Sequence, residues 1–503
     1  MVKKNNICKN LTYDDCELTI LRQAVDEAEK TKGRAKLNSP ELKKIIEIVE
    51  NFLKVKHQIC YGGTAINNIL PKYDQFYDKE LEIPDYDFFS MTPLEDAKEL
   101  ADIYYKQGFS EVEAKAGQHY GTYKVFVNFI PVADITLLSP ELFKNIKKEA
   151  ITVAGILYAP PNYLRMAMYL ELSRPDGDIS RWEKVLKRIT LLNKNYPLIG
   201  KNCKDIDFQR AMEDSNNEEI LYDTVKNSLI DQGVIFFGGL AVTLYARYMP
   251  KNLKKKLHKM PDFDVLSEDA EMTAIIVKER LEQNNFKKIQ IIYHKKIGEI
   301  ISDHYEIRVG DETICFIYTP LACHNYNTIY INNKTINVAS IDTMLSFYLA
   351  FLYSDREYYD KNRILCMSQY LFLVQQKNRL AQKGLLKRFS MSCYGQQETL
   401  ETMRAEKTKK FMELKNKRNT REFEEWFLRY VPAEQKKQPK QERKTMRKTR
   451  KLTKEATQLI KQNEDKEESV EKTVKKVINE TRRIKRQNKK KSRKKRKKFL
   501  GLF

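Results

Sequence analysis

A Gly-Gly turn followed about twenty residues later by an Asp-x-Asp pair occurs twice in this 503-residue chain. "YGGTAI" (Tyr61–Ile66) precedes "IPDYDFFS", and "FFGGLAV" precedes "MPDFDVLS". Gly63 and Asp85 are 22 residues apart; Gly239 and Asp262 are 23 apart. The flanks repeat as well: "LYAPPNYLRMAMYLELSRPD" is echoed by "VASIDTMLSFYLAFLYSDRE". Three matches in one order imply duplication, so the chain has to fold into two versions of one plan. Its length, too great for one compact core, agrees.

Within each version, the hydrophobic spacing alternates between helix and strand periods. Ser39 as N-cap with Pro40 behind it opens a helix that feeds "HQICYGG". "EIPDYDFFS", "TYKVFVNFI" and "VADITLL" read as strands, and "PLEDAKELADIYYKQG" as a helix. Residues 158–193 read as two helices parted by the turn Arg174-Pro175-Asp176-Gly177. The expected fold class is α/β (α+β): two tandem domains with mixed sheets and helical additions, plus a basic disordered or helical C-terminal tail. The expected segments are an N-terminal extension at 1–40, a catalytic domain at 41–200, a degenerate copy at 201–400, and a charged helical region with tail at 401–503.

Charge separates body from tail. Of the formal net charge of +23, residues 434–503 carry +19, so the body is nearly neutral. Such a run repels itself rather than packing, and attracts phosphate backbones or reads as a nuclear-localisation signal. No apolar run reaches the length of a membrane span, and the N-terminus has lysines without an apolar segment, so neither a span nor a secretion signal is expected. Eight cysteines without a C-x-x-C pair, and six histidines without ligand spacing, suggest scattered reduced thiols and no structural zinc site.

The chemistry of the first copy lies in its acids. Residues i and i+2 of a strand share a face, so Asp85 and Asp87 present two carboxylates together. Like charges so close call for a hard cation such as Mg²⁺. A third acid from a neighbouring strand completes a two-metal site, and Asp134 in "PVADITLL" is the candidate. Gly62 and Gly63 would let backbone amides approach a triphosphate, with the Thr64 hydroxyl added to that cradle. His119, near the strands, is expected on the surface or in a structural role.

"YGGTAINNILP", "IPDYDFFS", "FVNFIPVADIT" and "YAPPNYLRMAMYLELSRPDGDISRWEKVLKR" resemble the nucleotidyltransferase superfamily that includes DNA polymerase β. They resemble more closely the poly(A) polymerase catalytic subunits of poxviruses and giant DNA viruses, well over residues 45–200 and loosely beyond. The resemblance implies a template-independent enzyme adding AMP from ATP to an mRNA 3′ end with Mg²⁺ or Mn²⁺. It implies that the helices after the third acid bind nucleotide and RNA, which makes Tyr163, Arg165, Ser173, Arg174, Arg181, Lys184 and Lys187 candidates. It implies a homodimer or a separate stimulatory subunit, and a location in the cytoplasmic viral factory and the virion. Adenine selection is not written in the residues, so a uridylyl-, CCA-adding or cyclic-dinucleotide enzyme and a non-catalytic RNA-binding scaffold stay as alternatives.

The second copy keeps Gly238, Gly239, Asp262 and Asp264. Leu240 replaces Thr64, and "ETICFIYTP" offers Cys315 and Tyr318 where a third acid is needed. Asp311 has the right separation but sits in a hairpin signal, "VGDET". The second copy is expected to be inactive.

Overall fold

The computed structural model describes residues 12–37, 39–77, 84–204, 206, 208, 218–249 and 261–432. The basic stretch 434–503 lies outside the described residues. No helix among them is long and apolar enough to cross a membrane.

Two mixed eight-stranded sheets follow one path. In the first, β1 (Ile59–Cys60), β2 (Tyr86–Ser90), β3 (Val112–Ala116), β4 (Thr122–Val127), β5 (Ile130–Leu137), β6 (Ile151–Val153) and β7 (Ile156–Tyr158) lie in the order 3-4-5-2-1-7-6. In the second, β8 (Ile235–Phe236), β9 (Phe263–Leu266), β10 (Ile289–His294), β11 (His304–Val309), β12 (Glu312–Tyr318), β13 (His324–Ile331) and β14 (Lys334–Ala339) lie in the order 10-11-12-9-8-14-13. In both, the strand before the glycines runs antiparallel to the Asp-x-Asp strand, which pairs in parallel with a third strand. The duplication seen in the motifs is a duplication of topology. Each sheet also gains a two-residue edge strand: β15 (Cys393–Tyr394) beside β13, and β16 (Arg429–Tyr430) beside β3.

The elements form where the periodicity places them. Helix Pro40–Lys56 has Ser39 at its N-cap position, though the Ser39 side chain makes no capping bond. It buries Leu42, Ile45, Val49, Phe52 and Leu53 along one stripe. β4 buries Tyr123, Val125 and Val127 and leaves the alternate residues half-buried. Helix Tyr13–Leu37 arises in the polar N-terminal stretch, where no regular element was expected.

The two halves share one core. Helix Ile341–Phe351 is buried along its whole length and packs against helix Pro161–Leu172 of the first half. Tyr163 meets Tyr353 edge to face at 5.4 Å. The Asn325 amide donates to the Ser173 carbonyl at 2.8 Å. Each fully buried Leu or Phe at this seam contributes about 1.5–3 kcal/mol, so the halves are held by many such terms.

The cysteines correct the sequence reading. Disulfides join Cys203 to Cys366 and Cys323 to Cys393, across 163 and 70 residues of chain. Spacing carries no signal for pairs so far apart in sequence, since only the fold brings them within bonding reach. Cys60 and Cys315 are buried thiols, as expected.

Candidate active site

β1 ends at Cys60, and the amide of the next residue, Tyr61, donates to the Asp87 carbonyl at 2.9 Å and so aligns the glycine turn with β2. Gly62 then takes φ +72°, and a Cβ there would stand 2.6 Å from Asp87 Oδ2. A Cβ on Gly63 would stand 2.6 Å from Tyr77 Oη and 2.9 Å from Arg188 Nη1. Glycine suits Gly62 by its left-handed backbone, while a side chain on Gly63 would displace the tips of Tyr77 and Arg188. Helix Gly62–Ile69 starts at this turn with no side-chain cap, so its first amides have no partner within the helix.

The acids come from two strands in register. Asp87 on β2 is the Cα partner of Asp134 on β5, and Lys124 on β4 is the partner of Asp134 on the other side. Asp85 lies just before β2, near enough to Asp134 for that charge to raise its pKa after burial has done so. Burial first, then the charges of Asp85 and Asp134, push the Asp87 carboxyl up to about 7. Lys124 and Arg181 oppose that rise. The Lys124 ammonium forms an ion pair with Asp134 Oδ2, while Asp134 Oδ1 is buried without a hydrogen-bond partner.

This donor set fits a hard divalent cation. It has an orphaned buried carboxylate oxygen, a neighbour whose charge is strained by burial, and a third carboxylate beside them. The three carboxylates do not themselves gather within 4.8 Å of one another, and Lys124 engages one oxygen of Asp134. A cation seated among them has the free Oδ1 of Asp134 to bind, with the Lys124 ammonium on the other oxygen.

The other sequence candidates fall into two groups. Arg181 faces the acids, forming a 3.0 Å ion pair with Glu171 while its charge reaches Asp87. The Thr64 hydroxyl is committed to the Asp85 carbonyl at 2.7 Å, so it fixes the backbone of an acid rather than adding a donor to the glycine cradle. Tyr163, Arg165 and Ser173 are buried in the seam. Tyr163 packs edge-on against Phe89. Arg165 donates to Asn193, Asn162 and the Tyr196 carbonyl, and burial lowers its pKa to about 10. Ser173 donates to the Leu170 carbonyl at 2.9 Å. Arg174 is half-buried, and its Nε is enclosed without a partner. Lys184 is exposed, and Lys187 pairs with Glu183 one turn away. His119 is on the surface, 3.9 Å from Glu398.

Sequence reasoning missed three groups at the cluster. Lys124 could have been found as the lone cation in an alternating strand. Arg188, one residue after the candidate Lys187, points inward, over the Phe76 ring at 4.9 Å and onto the Tyr77 hydroxyl. Tyr61 stacks on Phe89 at 4.0 Å and shares a hydrogen bond of 2.9 Å with Thr136. A guanidinium beside a glycine turn and a helix N-terminus suits a phosphate group.

The second copy keeps the turn and the Asp-x-Asp pair but not the third acid. Gly238 approaches Asp264 as Gly62 approaches Asp87. On β12, however, Phe316 is the register partner of Asp264, and on β11 Glu306 is the partner of Phe316. Phe316, rather than Cys315, therefore fills the place of the third acid; Tyr318 shares its face. Asp311 is exposed at the hairpin, next to Gly310 at φ +63°. Asp262 and Asp264 line a narrow cavity with Tyr348, Tyr359 and Arg363.

Residues 47–178 match the family model described as the poly(A) polymerase catalytic subunit. A protein of Acanthamoeba polyphaga mimivirus, carrying that as a provisional name, is 26% identical over 286 residues. The aligned part is 56% of this chain and 48% of that protein. A protein of African swine fever virus with the same provisional name is 34% identical over 167 residues, 32% of this chain and 35% of its own. The chain thus spans about half the length of one relative and about a third of the other. The crystal structure of the Megavirus polyadenylate synthase superposes with a TM-score of 0.70 at 20% identity, covering 89% of this chain and 91% of that one. Over residues 47–178 this chain is similar to the poly(A) polymerase catalytic subunits of large DNA viruses, and its fold is that of a viral polyadenylate synthase.

Proposed function

We propose that the chain is a template-independent poly(A) polymerase that joins the 3′-hydroxyl of mRNA to the α-phosphate of ATP and releases pyrophosphate. The observation that carries this reading is the register pairing of Asp87 with Asp134 behind a glycine turn whose Gly62 takes φ +72°. Mg²⁺ (or Mn²⁺) held by Asp85, Asp87 and Asp134 would activate the hydroxyl and neutralise the leaving pyrophosphate. The protein's own groups bind and orient. Gly62, Gly63 and the helix amides receive the triphosphate, with Arg188 beside them and Arg181 across the acids. Tyr61 and Thr64 hold the backbones of Asp87 and Asp85 through the contacts described above.

On this reading, residues 41–200 are the catalytic domain, 201–400 a degenerate copy, and 401–503 a charged region whose basic end holds RNA. That end binds phosphate backbones without sequence preference and loosens steeply with salt. On the same reading the work is done in the viral factory of the host cytoplasm and the protein is carried in the virion, which its likeness to proteins of large DNA viruses supports.

The test is extension of a labelled RNA primer with each NTP separately, for wild type and Asp85→Ala/Asp87→Ala. A long ladder with ATP alone, lost in the variant, supports the proposal. Extension with UTP or CTP instead moves the protein to another nucleotidyltransferase class. RNA binding without extension by any nucleotide favours a scaffold. Running the same assay over a range of protein concentrations reports whether a second copy or a stimulatory subunit is needed.

A further inference from the structure

The seam between the halves holds a cluster that the polymerase reading does not use. Cys323, the residue before β13, and Cys393, on β15, have Cα atoms 5.1 Å apart and are joined as a disulfide. Asp176 reaches them from the first half, out of the turn between helix Pro161–Leu172 and the 3₁₀ turn Ile179–Arg181. One carboxylate oxygen and the two sulfurs all lie within 4.8 Å of one another. Among the described residues, this is the group in which three such ligand atoms converge so closely.

The turn is held there by other contacts. The Asn325 amide donates to the Ser173 carbonyl, and the Gly177 amide to the Arg174 carbonyl at 3.1 Å. Trp182 packs on Phe389 at 5.6 Å. The carboxylate therefore faces the sulfurs without depending on any bond to them.

We propose that Cys323, Cys393 and Asp176 form a redox-gated zinc site. Two thiolates and a carboxylate, with water in the fourth position, are a zinc donor set, and soft sulfur disfavours Mg²⁺ or Ca²⁺. Tetrahedral ligands at zinc bond lengths stand about 3.5–3.8 Å apart, which these three atoms reach by small side-chain rotations once the S–S bond opens. Asp176 is exposed, so the ion has a way in. His324, next in sequence, is not part of the set: it is fully buried, and its ring packs on Phe347 at 5.0 Å.

The two states exclude one another. A small dithiol reductant delivers two electrons and two protons, leaving Cys323 and Cys393 as thiols and itself as a cyclic disulfide. Zinc binding then releases both thiol protons. The disulfide ties β13 to β15 alone. The zinc state also ties in the turn that leads to Arg181.

Full-length protein, reduced with dithiothreitol and desalted under nitrogen, is titrated with Co²⁺ and then Zn²⁺. Expected is one equivalent of Co²⁺ with a thiolate-to-cobalt charge-transfer band, displaced by Zn²⁺ and absent from the oxidised protein. Cys323→Ser should abolish the band, and Cys203→Ser/Cys366→Ser should keep it. Asp176→Asn, at an exposed position that leaves folding intact, should weaken affinity by about tenfold or more. No band in the reduced wild type, a band undiminished in Cys323→Ser, or unchanged affinity in Asp176→Asn would each overturn the assignment.

Discussion

Phe316 of β12 stands to Asp264 as Asp134 of β5 stands to Asp87: the same parallel register, with an aromatic ring in place of a carboxylate. One strand further on, Glu306 stands where Lys124 stands in the first half. Both the third acid and its cationic partner have been exchanged, so the second half retains the frame of the site with its charges rearranged.

Asp262→Asn/Asp264→Asn should therefore keep at least about half of the RNA extension rate per folded molecule. Asp87→Asn should lose several kcal/mol of transition-state stabilisation, on the order of a thousandfold in rate. Comparable losses in the two variants, by primer extension on protein of equal melting temperature, would assign chemistry to the second half.

Gly62→Ala combines a left-handed backbone with a methyl 2.6 Å from Asp87 Oδ2. Backbone strain alone costs about 1–2 kcal/mol. The displaced carboxylate should reduce extension more than a hundredfold, in keeping with the cost of a small misplacement at a reacting centre. Urea unfolding beside the kinetics separates the two effects; an active Gly62→Ala enzyme would refute the close-approach argument.

The Lys124 ammonium on Oδ2 offsets the charge of Asp134 and so opposes a cation bound at the free Oδ1. An ion pair of this exposure contributes up to about 1 kcal/mol. Lys124→Ala should accordingly lower the half-saturating Mg²⁺ concentration by up to about fivefold. An unchanged or raised Mg²⁺ requirement in a metal titration of primer extension would mean that the ammonium does not oppose the cation.

Two buried histidines set an acid limit. Burial pushes His304 down to about 4 and His324 down to about 3, against an ordinary value of 6.5. The unfolded chain binds these protons below pH 6.5 while the folded chain does not, so stability is full above 6.5 and declines toward pH 4. The slope is about 1.4 kcal/mol per pH unit for each histidine. His304 is faced by the His294 ring at 4.9 Å, the Ser302 carbonyl, Glu306, Tyr318 and Tyr358. His304→Gln should flatten the melting-temperature profile between pH 6.5 and 4, and an unchanged profile would place the acid sensitivity elsewhere.

The glycine turns, the Asp-x-Asp pairs and Asp134 were legible because each falls in an element with a clear period. What was not legible depends on partners distant in sequence. Arg188 differs from its neighbour Lys187 only in which side of the helix meets Gly63. The choice of Cys315 over Phe316 was a slip of one residue, and a slip of one reverses which face of a strand a side chain occupies. Two-residue strands such as β15 and β16 have no period to detect, and the disulfides join cysteines that no spacing rule connects.

β16 also bears on how the protein is made. It covers the outer edge of β3, a strand synthesised more than three hundred residues earlier. At 5–20 residues per second, that edge stays open on a nascent chain for roughly 15–60 s. An open edge invites pairing with any other extended segment, and charge on the strand is the usual deterrent. Glu113 and Lys115, on β3 itself, supply that charge and pair with each other at 2.8 Å. When Arg429 arrives, it bonds to Glu113 and closes the sheet with the groups that had guarded it.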